Sequence, residues 1–199
     1  MNTPWFIKDN GWLSGVTHCP SPHYDVRPQD AVINTLVIHN ISLPPKVFGQ
    51  NYVDALFLGT LSEHRGEDPF IDSIMDLRVS AHFLITRDGA VTQYVASVDR
   101  AWHAGVSEFA GQTGCNDFSV GVELNGADDI PYTLRQYQAL VRLTLALMQR
   151  HPHITRERIT THAHIAPGRK TDPGPAFNEA VFFRMLDQAI YFESAAYRS

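Results

Sequence analysis

Apolar runs with a two-residue period predict several β-strands. Asn34–His39 is apolar and β-branched, which is typical of a buried strand that ends on a histidine. Ser80–Thr86 and Ala90–Val95 flank Arg87-Asp88-Gly89, and an Asp-Gly pair supplies the positive φ of a tight hairpin turn. Ser119–Leu124 is predicted as a further strand, with Val120, Val122 and Leu124 on one face and Ser119, Gly121 and Glu123 on the other.

Two stretches with helical spacing follow the strands, and together they predict an α/β fold. Thr133 with Gln136 three residues later is a capping box, which marks the start of a helix that Pro152 ends. A second helix is predicted from Asn178 to Phe192. The buried face of the first helix is predicted to carry Tyr137, Leu140, Val141, Thr144, Leu147 and Met148, and that of the second Phe182, Met185, Leu186, Ala189 and Ile190.

The remaining segments are less regular. Residues 1–33 are predicted to form an ordered but irregular N-terminal segment that packs across the domain. Residues 41–80 form an unusually long connection between two strands, broken by Pro44-Pro45, and such a connection is either a functional lid or a surface excursion. With 199 residues, the chain is expected to form a single domain, 1–199, with 41–80 as a possible lid within it.

Composition excludes several classes of protein. The net charge of −5, without runs of Lys or Arg, argues against a nucleic-acid surface. No apolar stretch approaches the roughly 20 residues that span a bilayer, so no membrane association is expected. The N-terminal residues show no secretory signal, and the two cysteines, Cys19 and Cys115, imply no disulfide framework. We therefore expect a cytoplasmic protein with reduced thiols.

The segment Thr161–Pro175 carries the strongest chemical signal. It holds His162 and Asp172 in a loop stiffened by three prolines, after a strand predicted over Arg158–His162. Imidazole and carboxylate groups are zinc ligands, and a catalytic zinc site needs three protein ligands and one open position. His39, at the end of its own strand, is the candidate third ligand because α/β folds place chemistry at strand ends.

Two further residues would complete a hydrolytic site around Zn²⁺. Glu123 is a carboxylate outside the ligand set and could move a proton between the water and a leaving amine, although a solvent-facing strand edge would also explain it. The small residues beside Glu123 predict open space for a substrate. Lys170 could stabilise the oxyanion of an attacked carbonyl. Such a set hydrolyses amides. His164, two residues from His162, could compete as a ligand if the strand continues that far.

Several strings together resemble the zinc N-acetylmuramoyl-L-alanine amidases, over about Gly11 to Phe177. They are Val-Ile-His-Asn (37–40), Arg-Val-Ser-Ala-His (78–82), Arg-Ala-Trp-His-Ala-Gly (100–105), Cys-Asn-Asp-Phe-Ser-Val-Gly-Val-Glu-Leu (115–124) and Ile-Ala-Pro-Gly-Arg-Lys-Thr-Asp-Pro-Gly-Pro (165–175). Pro20–Asp25 and Ile41–Pro45 resemble the cytosolic branch of this family, which acts on 1,6-anhydro-muropeptides in peptidoglycan recycling. Asp172 and Ala81 also fit that branch, since other relatives often carry cysteine and tyrosine there.

The resemblance implies a central mixed β-sheet with helices packed on it. It implies His39, His162 and Asp172 as zinc ligands, Glu123 as the base and Lys170 as the stabiliser of the transition state. It further implies hydrolysis of the amide between (anhydro-)N-acetylmuramic acid and L-alanine. His164 departs from the family pattern, and His82 and His103 are expected to be structural or to support the ligands.

Two other functions remain open at this point. The chain could be a muropeptide-binding module without catalysis, or a wall-lysing amidase that acts on intact peptidoglycan. The intact set of proposed ligands with Glu123 and Lys170 argues against the first, and the absent secretory signal argues against export in the second. The protein is expected to be a monomer with a small soluble muropeptide as its substrate.

Overall fold

A computed structural model describes residues 5–196, with side chains to residue 193. At its centre is a six-stranded sheet in the order β1-β5-β4-β9-β3-β10, in which only β4 and β5 pair antiparallel. The predicted central mixed sheet is thereby confirmed. The strands are β1 (Thr17–His18), β2 (Tyr24–Asp25), β3 (Thr35–Ile41), β4 (Phe83–Ile85), β5 (Val91–Gln93), β6 (Arg100–Ala101), β7 (Glu108–Phe109), β8 (Gln112–Thr113), β9 (Ser119–Asn125) and β10 (Ile159–Thr161).

The other elements flank this sheet. Two short antiparallel ribbons, β2–β6 and β7–β8, lie outside it. The α-helices are α1 (Tyr52–Leu58), α2 (Pro69–Ile74), α3 (Leu134–Arg150), α4 (His162–Ile165) and α5 (Glu179–Ala196), and 3₁₀ turns cover Leu61–His64, Cys115–Asp117 and Arg156–Arg158. No helix within residues 5–196 combines the length and apolar character needed to cross a bilayer.

One face of the sheet packs against the two long helices. Thr133 caps α3 through the predicted reciprocal bonds with Gln136. Leu140 and Leu147 of α3, and Phe182 and Leu186 of α5, are fully buried in the core that the predicted helix faces form. Each such side chain contributes roughly 1.5–3 kcal/mol of hydrophobic stabilisation. The helices thus hold the sheet rigid behind the face that carries the candidate chemistry.

The central pair of strands sets the position of that chemistry. β3 and β9 run parallel in continuous register, which places His39 directly beside Glu123. β10 lies parallel to β3 on its other side, with Thr161 paired to Ile38. Because all three strands run in the same direction, their carboxyl ends meet at one edge, and residues at those ends converge there.

The hairpin and the strand before His162 were both predicted, the second with a shifted boundary. Gly89 adopts a φ of 83°, as the turn between β4 and β5 requires. A Cβ at this position would also lie 2.8 Å from the Arg135 carbonyl oxygen, so glycine lets the turn pack against α3. The prediction that a strand continues through His162 was wrong: the strand ends at Thr161, and His162 is the first residue of α4.

The long connection 41–80 is folded rather than an open loop. Helix α1 buries Leu56 and Phe57, the 3₁₀ turn after it buries Leu61, and α2 buries Ile71, all in a second apolar cluster beside the sheet. Tyr94, from the residues just after β5, donates a short hydrogen bond to Asp54 of α1 and ties the segment to the hairpin. Whether the segment acts as a lid stays a prediction, as does the division of the chain into a single domain.

Candidate metal centre and active site

Three side chains near the carboxyl ends of the central strands bring one potential ligand atom each into a compact triangle. His39 Nδ1 lies 2.9 Å from His162 Nδ1 and 3.3 Å from Asp172 Oδ2, and His162 Nδ1 lies 3.0 Å from Asp172 Oδ2. His39 comes from the end of β3, His162 from the start of α4, and Asp172 from the loop after α4. The Ala163 amide donates to the Asp172 carbonyl at 2.9 Å and fixes that loop against the helix.

The triangle fits a tetrahedral metal ion. Zinc bonds of 2.0–2.1 Å place neighbouring ligand atoms about 3.3–3.4 Å apart, close to the three separations found here. Two imidazole nitrogens and one carboxylate oxygen leave the fourth position open. In the part of the chain that the structure describes, this is the one group of at least three His, Cys, Asp or Glu side chains able to hold a metal ion together.

The charges of His39 and Asp172 also suit a cation. Burial lowers the pKa of His39 to about 4, so its imidazole is neutral at pH 7 and has a lone pair to offer. Burial alone would raise the pKa of Asp172, but its close contacts with His162 and His39 outweigh this and hold the pKa well below its usual value. A neutral imidazole beside an ionised carboxylate is the protonation state that metal binding requires.

His164 does not join this group. Because His162 opens a helix, a residue two positions later is rotated by about 200° and points the other way. The His164 side chain is exposed and lies outside the cluster. The suggestion that it could share the side of His162 depended on a continued strand and was wrong.

Glu123 lies beside the triangle in a buried position. β9 is an interior strand of the sheet, so the alternative of a solvent-facing edge is excluded. Its Oε2 atom is buried and has no hydrogen-bond partner among the described residues. Burial, reinforced by the charge of Asp172, raises the pKa of Glu123 well above its usual value, while Lys170 acts in the opposite direction. A carboxyl with a raised pKa next to a cluster of ligands is typical of a proton-transfer group.

The space predicted above Gly121 is filled. A Cβ at Gly121 would lie 2.4 Å from the ring of His103, so the glycine accommodates that imidazole. Ser119, the other small residue on this face, places its Oγ 3.2 Å from His103 Nε2. The expectation that these small residues make room for substrate over Glu123 was therefore wrong.

Lys170 lies on the exposed side of the site, in the loop that leads to Asp172. Its backbone amide donates to the Ala166 carbonyl at 3.0 Å, at the end of α4. Its ammonium charge lowers the pKa values of both His39 and Glu123, which places that charge within electrostatic range of the cluster.

Several polar contacts around the site involve residues that pattern reasoning did not single out. Asn40 donates to Asp128 Oδ1 at 2.8 Å beside a cavity of about 490 Å³. That cavity is lined by Asn40–Ser42, Pro45, Lys46 and Ala127–Asp129, so the start of the 41–80 segment lines a cavity that begins one residue after His39 in the chain. Tyr132 donates to the Pro173 carbonyl at 2.8 Å, next to Asp172. No local signal in the sequence marks these partners, because each contact joins distant segments.

The raised pKa of Glu123 predicts a pH-dependent stability difference in the zinc-free chain. The folded chain holds the proton to a higher pH than the unfolded chain, whose glutamate has a pKa of about 4.3. The contribution of Glu123 to the free energy of unfolding is therefore favourable below about pH 4.3. It is lost as the pH rises through the raised pKa of the folded chain. Glu123→Gln should stabilise the zinc-free chain progressively above pH 4, by up to about 1.4 kcal/mol per pH unit. Urea unfolding from pH 5 to pH 8 measures this, and a constant difference would contradict it. Exposed Glu108→Gln is the control.

Comparison with known proteins identifies the class to which this site belongs. The model of the N-acetylmuramoyl-L-alanine amidase family matches residues 28–175, which include the three candidate metal ligands, Glu123 and Lys170. The chain belongs to this family, as its sequence motifs predicted.

Individual relatives narrow the comparison to one branch. The chain is 53% identical over 176 residues to the 1,6-anhydro-N-acetylmuramyl-L-alanine amidase AmpD of Escherichia coli, covering 88% of this chain and 94% of that protein. A crystal structure of a selenomethionine AmpD derivative superimposes with a TM-score of 0.84 at 52% identity, covering 89% and 97% of the two chains. E. coli AmiD, in complex with anhydro-N-acetylmuramic acid-L-Ala-D-γ-Glu-L-Lys, is 29% identical with a TM-score of 0.54, covering 79% and 60%.

Proposed function

We propose that this protein is a zinc-dependent amidase that cleaves the bond between 1,6-anhydro-N-acetylmuramic acid and the L-alanine of a stem peptide. The observation that carries the proposal is the His39, His162 and Asp172 triangle, with Glu123 paired beside His39 on the neighbouring strand. Similarity to AmpD over nearly its whole length supports the substrate class.

His39, His162 and Asp172 would hold the metal, since they bring two imidazole nitrogens and one carboxylate oxygen together. A Zn²⁺ ion bound there supplies Lewis acidity, which activates water near neutral pH and polarises the scissile carbonyl. The burial of His39 and His162, and the contacts of the half-buried Asp172 with both rings, keep these donors in place without reorganisation when substrate binds.

Glu123 takes the proton from the attacking water as the oxygen adds to the carbonyl carbon. It then delivers that proton to the alanine nitrogen as the C–N bond breaks, leaving a carboxylic acid on the sugar and a free amine on the peptide. The acid then loses its remaining proton, which protonates the released amine or passes to solvent. A pKa raised by burial suits both steps, because the group must accept and release a proton near neutral pH. Lys170 places its positive charge where the carbonyl oxygen becomes negative during the attack.

The zinc-loaded chain is predicted to release the stem peptide from a soluble anhydro-muropeptide. Chromatography of the reaction should show the free peptide and the anhydro-sugar in equal amounts, and the activity should disappear with a chelator and return with Zn²⁺. Intact peptidoglycan sacculi, assayed in parallel by dye release, should react far more slowly.

The same assay separates the alternatives. Binding of the muropeptide without any product would favour a recognition module, and preferential solubilisation of sacculi would favour a wall-lysing enzyme. Either result would contradict the proposed reaction. The complete donor set and the buried carboxyl beside it favour catalysis over binding alone.

The proposed compartment is the cytoplasm, where a soluble anhydro-muropeptide would be recycled. Both cysteines have free thiols in the structure, and a reducing compartment maintains that state.

A further inference from the structure

Both candidate histidine ligands contact the same short segment, and each does so through the ring nitrogen that faces away from the triangle. His39 Nε2 lies 2.9 Å from His103 Nδ1, and His162 Nε2 lies 3.3 Å from the Ala104 carbonyl oxygen. The two ligands come from positions more than 120 residues apart in the chain, yet adjacent residues of one loop orient them. We refer to His103 and Ala104 as the ligand-support segment.

The direction of the hydrogen bonds behind His39 is set by a backbone carbonyl. The Cys115 carbonyl can only accept, so the Ser119 hydroxyl donates to it, at 2.5 Å. Ser119 Oγ then has only lone pairs left for His103 Nε2, 3.2 Å away, and that nitrogen must carry the proton. A neutral imidazole with Nε2 protonated has an acceptor at Nδ1, which receives the proton of His39 Nε2. The lone pair of His39 is thereby left on Nδ1, the atom in the triangle.

A second carbonyl fixes the other histidine in the same way. The Ala104 oxygen can only accept, so His162 Nε2 donates and the lone pair remains on Nδ1. Arg169 Nη2 also donates to this oxygen, at 2.6 Å, and to the Val106 carbonyl at 2.7 Å. The guanidinium therefore fixes the carbonyl that orients His162.

The ligand-support segment is itself anchored. Asn116 Oδ1 accepts from the backbone amides of both His103 and Ala104, at 3.1 and 2.8 Å. The His103 ring packs on Gly121, where any larger side chain would displace it. His103, Ala104, Asn116 and Ser119 are all buried.

We propose that His103 is a positioning residue, which, with Ser119 behind it, fixes the orientation and tautomer of the metal ligand His39. The inference rests on the proposed metal-dependent function, but it concerns residues outside the ligand set. Support of this kind commonly changes metal affinity by about 10- to 100-fold. Because both nitrogens of His103 are engaged and the ring is buried, the residue acts through His39 and does not exchange a proton with substrate.

Zinc affinity, measured by competition with a chromogenic chelator, tests the proposal. His103→Leu keeps a comparable volume but removes both hydrogen bonds, so the dissociation constant should rise about 10- to 100-fold. His103→Gln can present an acceptor to His39 and a donor to Ser119, so it should recover most of the affinity. Ser119→Ala should weaken binding in the same direction by a smaller factor.

A matched control lies elsewhere in the core. His151 is also buried and also contacts a serine, with Nε2 2.9 Å from Ser97 Oγ, but neither residue contacts the ligand triangle. His151→Leu and Ser97→Ala should lower stability to urea while the zinc affinity stays within about twofold. A general packing defect would affect both pairs alike, whereas positioning affects only the first.

A measurement on the metal-free chain makes the test independent of zinc. Nitrogen-15 chemical shifts should identify His103 as the Nε2-protonated tautomer, and Ser119→Ala should reduce that preference. An Nδ1-protonated His103, or unchanged zinc affinity in folded His103→Leu, would overturn the positioning role. Failure of the unchanged chain to bind zinc while the His103 tautomer holds would instead overturn the proposed metal-dependent function.

Discussion

Replacing His162 by alanine is expected to abolish zinc retention and, as a consequence, amidase activity. Zinc binding by a complete site provides about 10–16 kcal/mol, and one of three protein ligands accounts for roughly a third of it. The dissociation constant should therefore rise by about 10²–10⁴-fold, since 1.4 kcal/mol corresponds to a factor of ten. Elemental analysis after dialysis against a weak chelator measures the metal content, and isothermal titration measures the affinity.

His164→Ala is the matched control for this experiment. It removes the same side chain from the same short helix, but His164 is exposed and lies outside the ligand cluster. Zinc content and turnover should stay close to those of the unchanged chain. The reverse pattern, in which His162→Ala keeps full zinc while His164→Ala loses it, would contradict the assignment of the ligands.

The separation of these two histidines shows where sequence reasoning succeeds and where it fails. The ligand types and the stiff loop around Asp172 could be read from the sequence, because residue chemistry and proline geometry are local properties. The boundary at His162 could not, since a four-residue helix has almost no periodic signal. That one boundary decides which way His164 points.

For the strands, too, one prediction was correct and another was wrong. The alternation in Ser119–Leu124 predicted that Glu123 and Gly121 share a face, and the register with β3 agrees. The prediction of open space above Gly121 was wrong, because the ring of His103, which comes from a distant loop, fills that space. Long-range contacts such as those of Asn116 and Ser119 with the ligand-support segment likewise depend on the three-dimensional path of the chain.

Glu123→Gln separates proton transfer from metal binding. The substitution keeps the size of the side chain but removes its ability to accept the proton of water, so kcat should fall by about 10²–10⁴-fold. Zinc content should remain complete, because Glu123 is not one of the three clustered ligands. Pre-steady-state turnover of an anhydro-muropeptide, with metal content measured on the same samples, gives both quantities.

The exposed substitution Glu108→Gln controls for the loss of one negative charge and should leave kcat and zinc content unchanged. Near-normal turnover by zinc-loaded Glu123→Gln would show that another group moves the proton. His103 could not readily replace it, since the ring is buried and its two nitrogens already contact His39 and Ser119. Glu123 combines burial, an oxygen without a hydrogen-bond partner among the described residues, and a position paired with His39, and these features are the basis on which we propose it as the proton carrier.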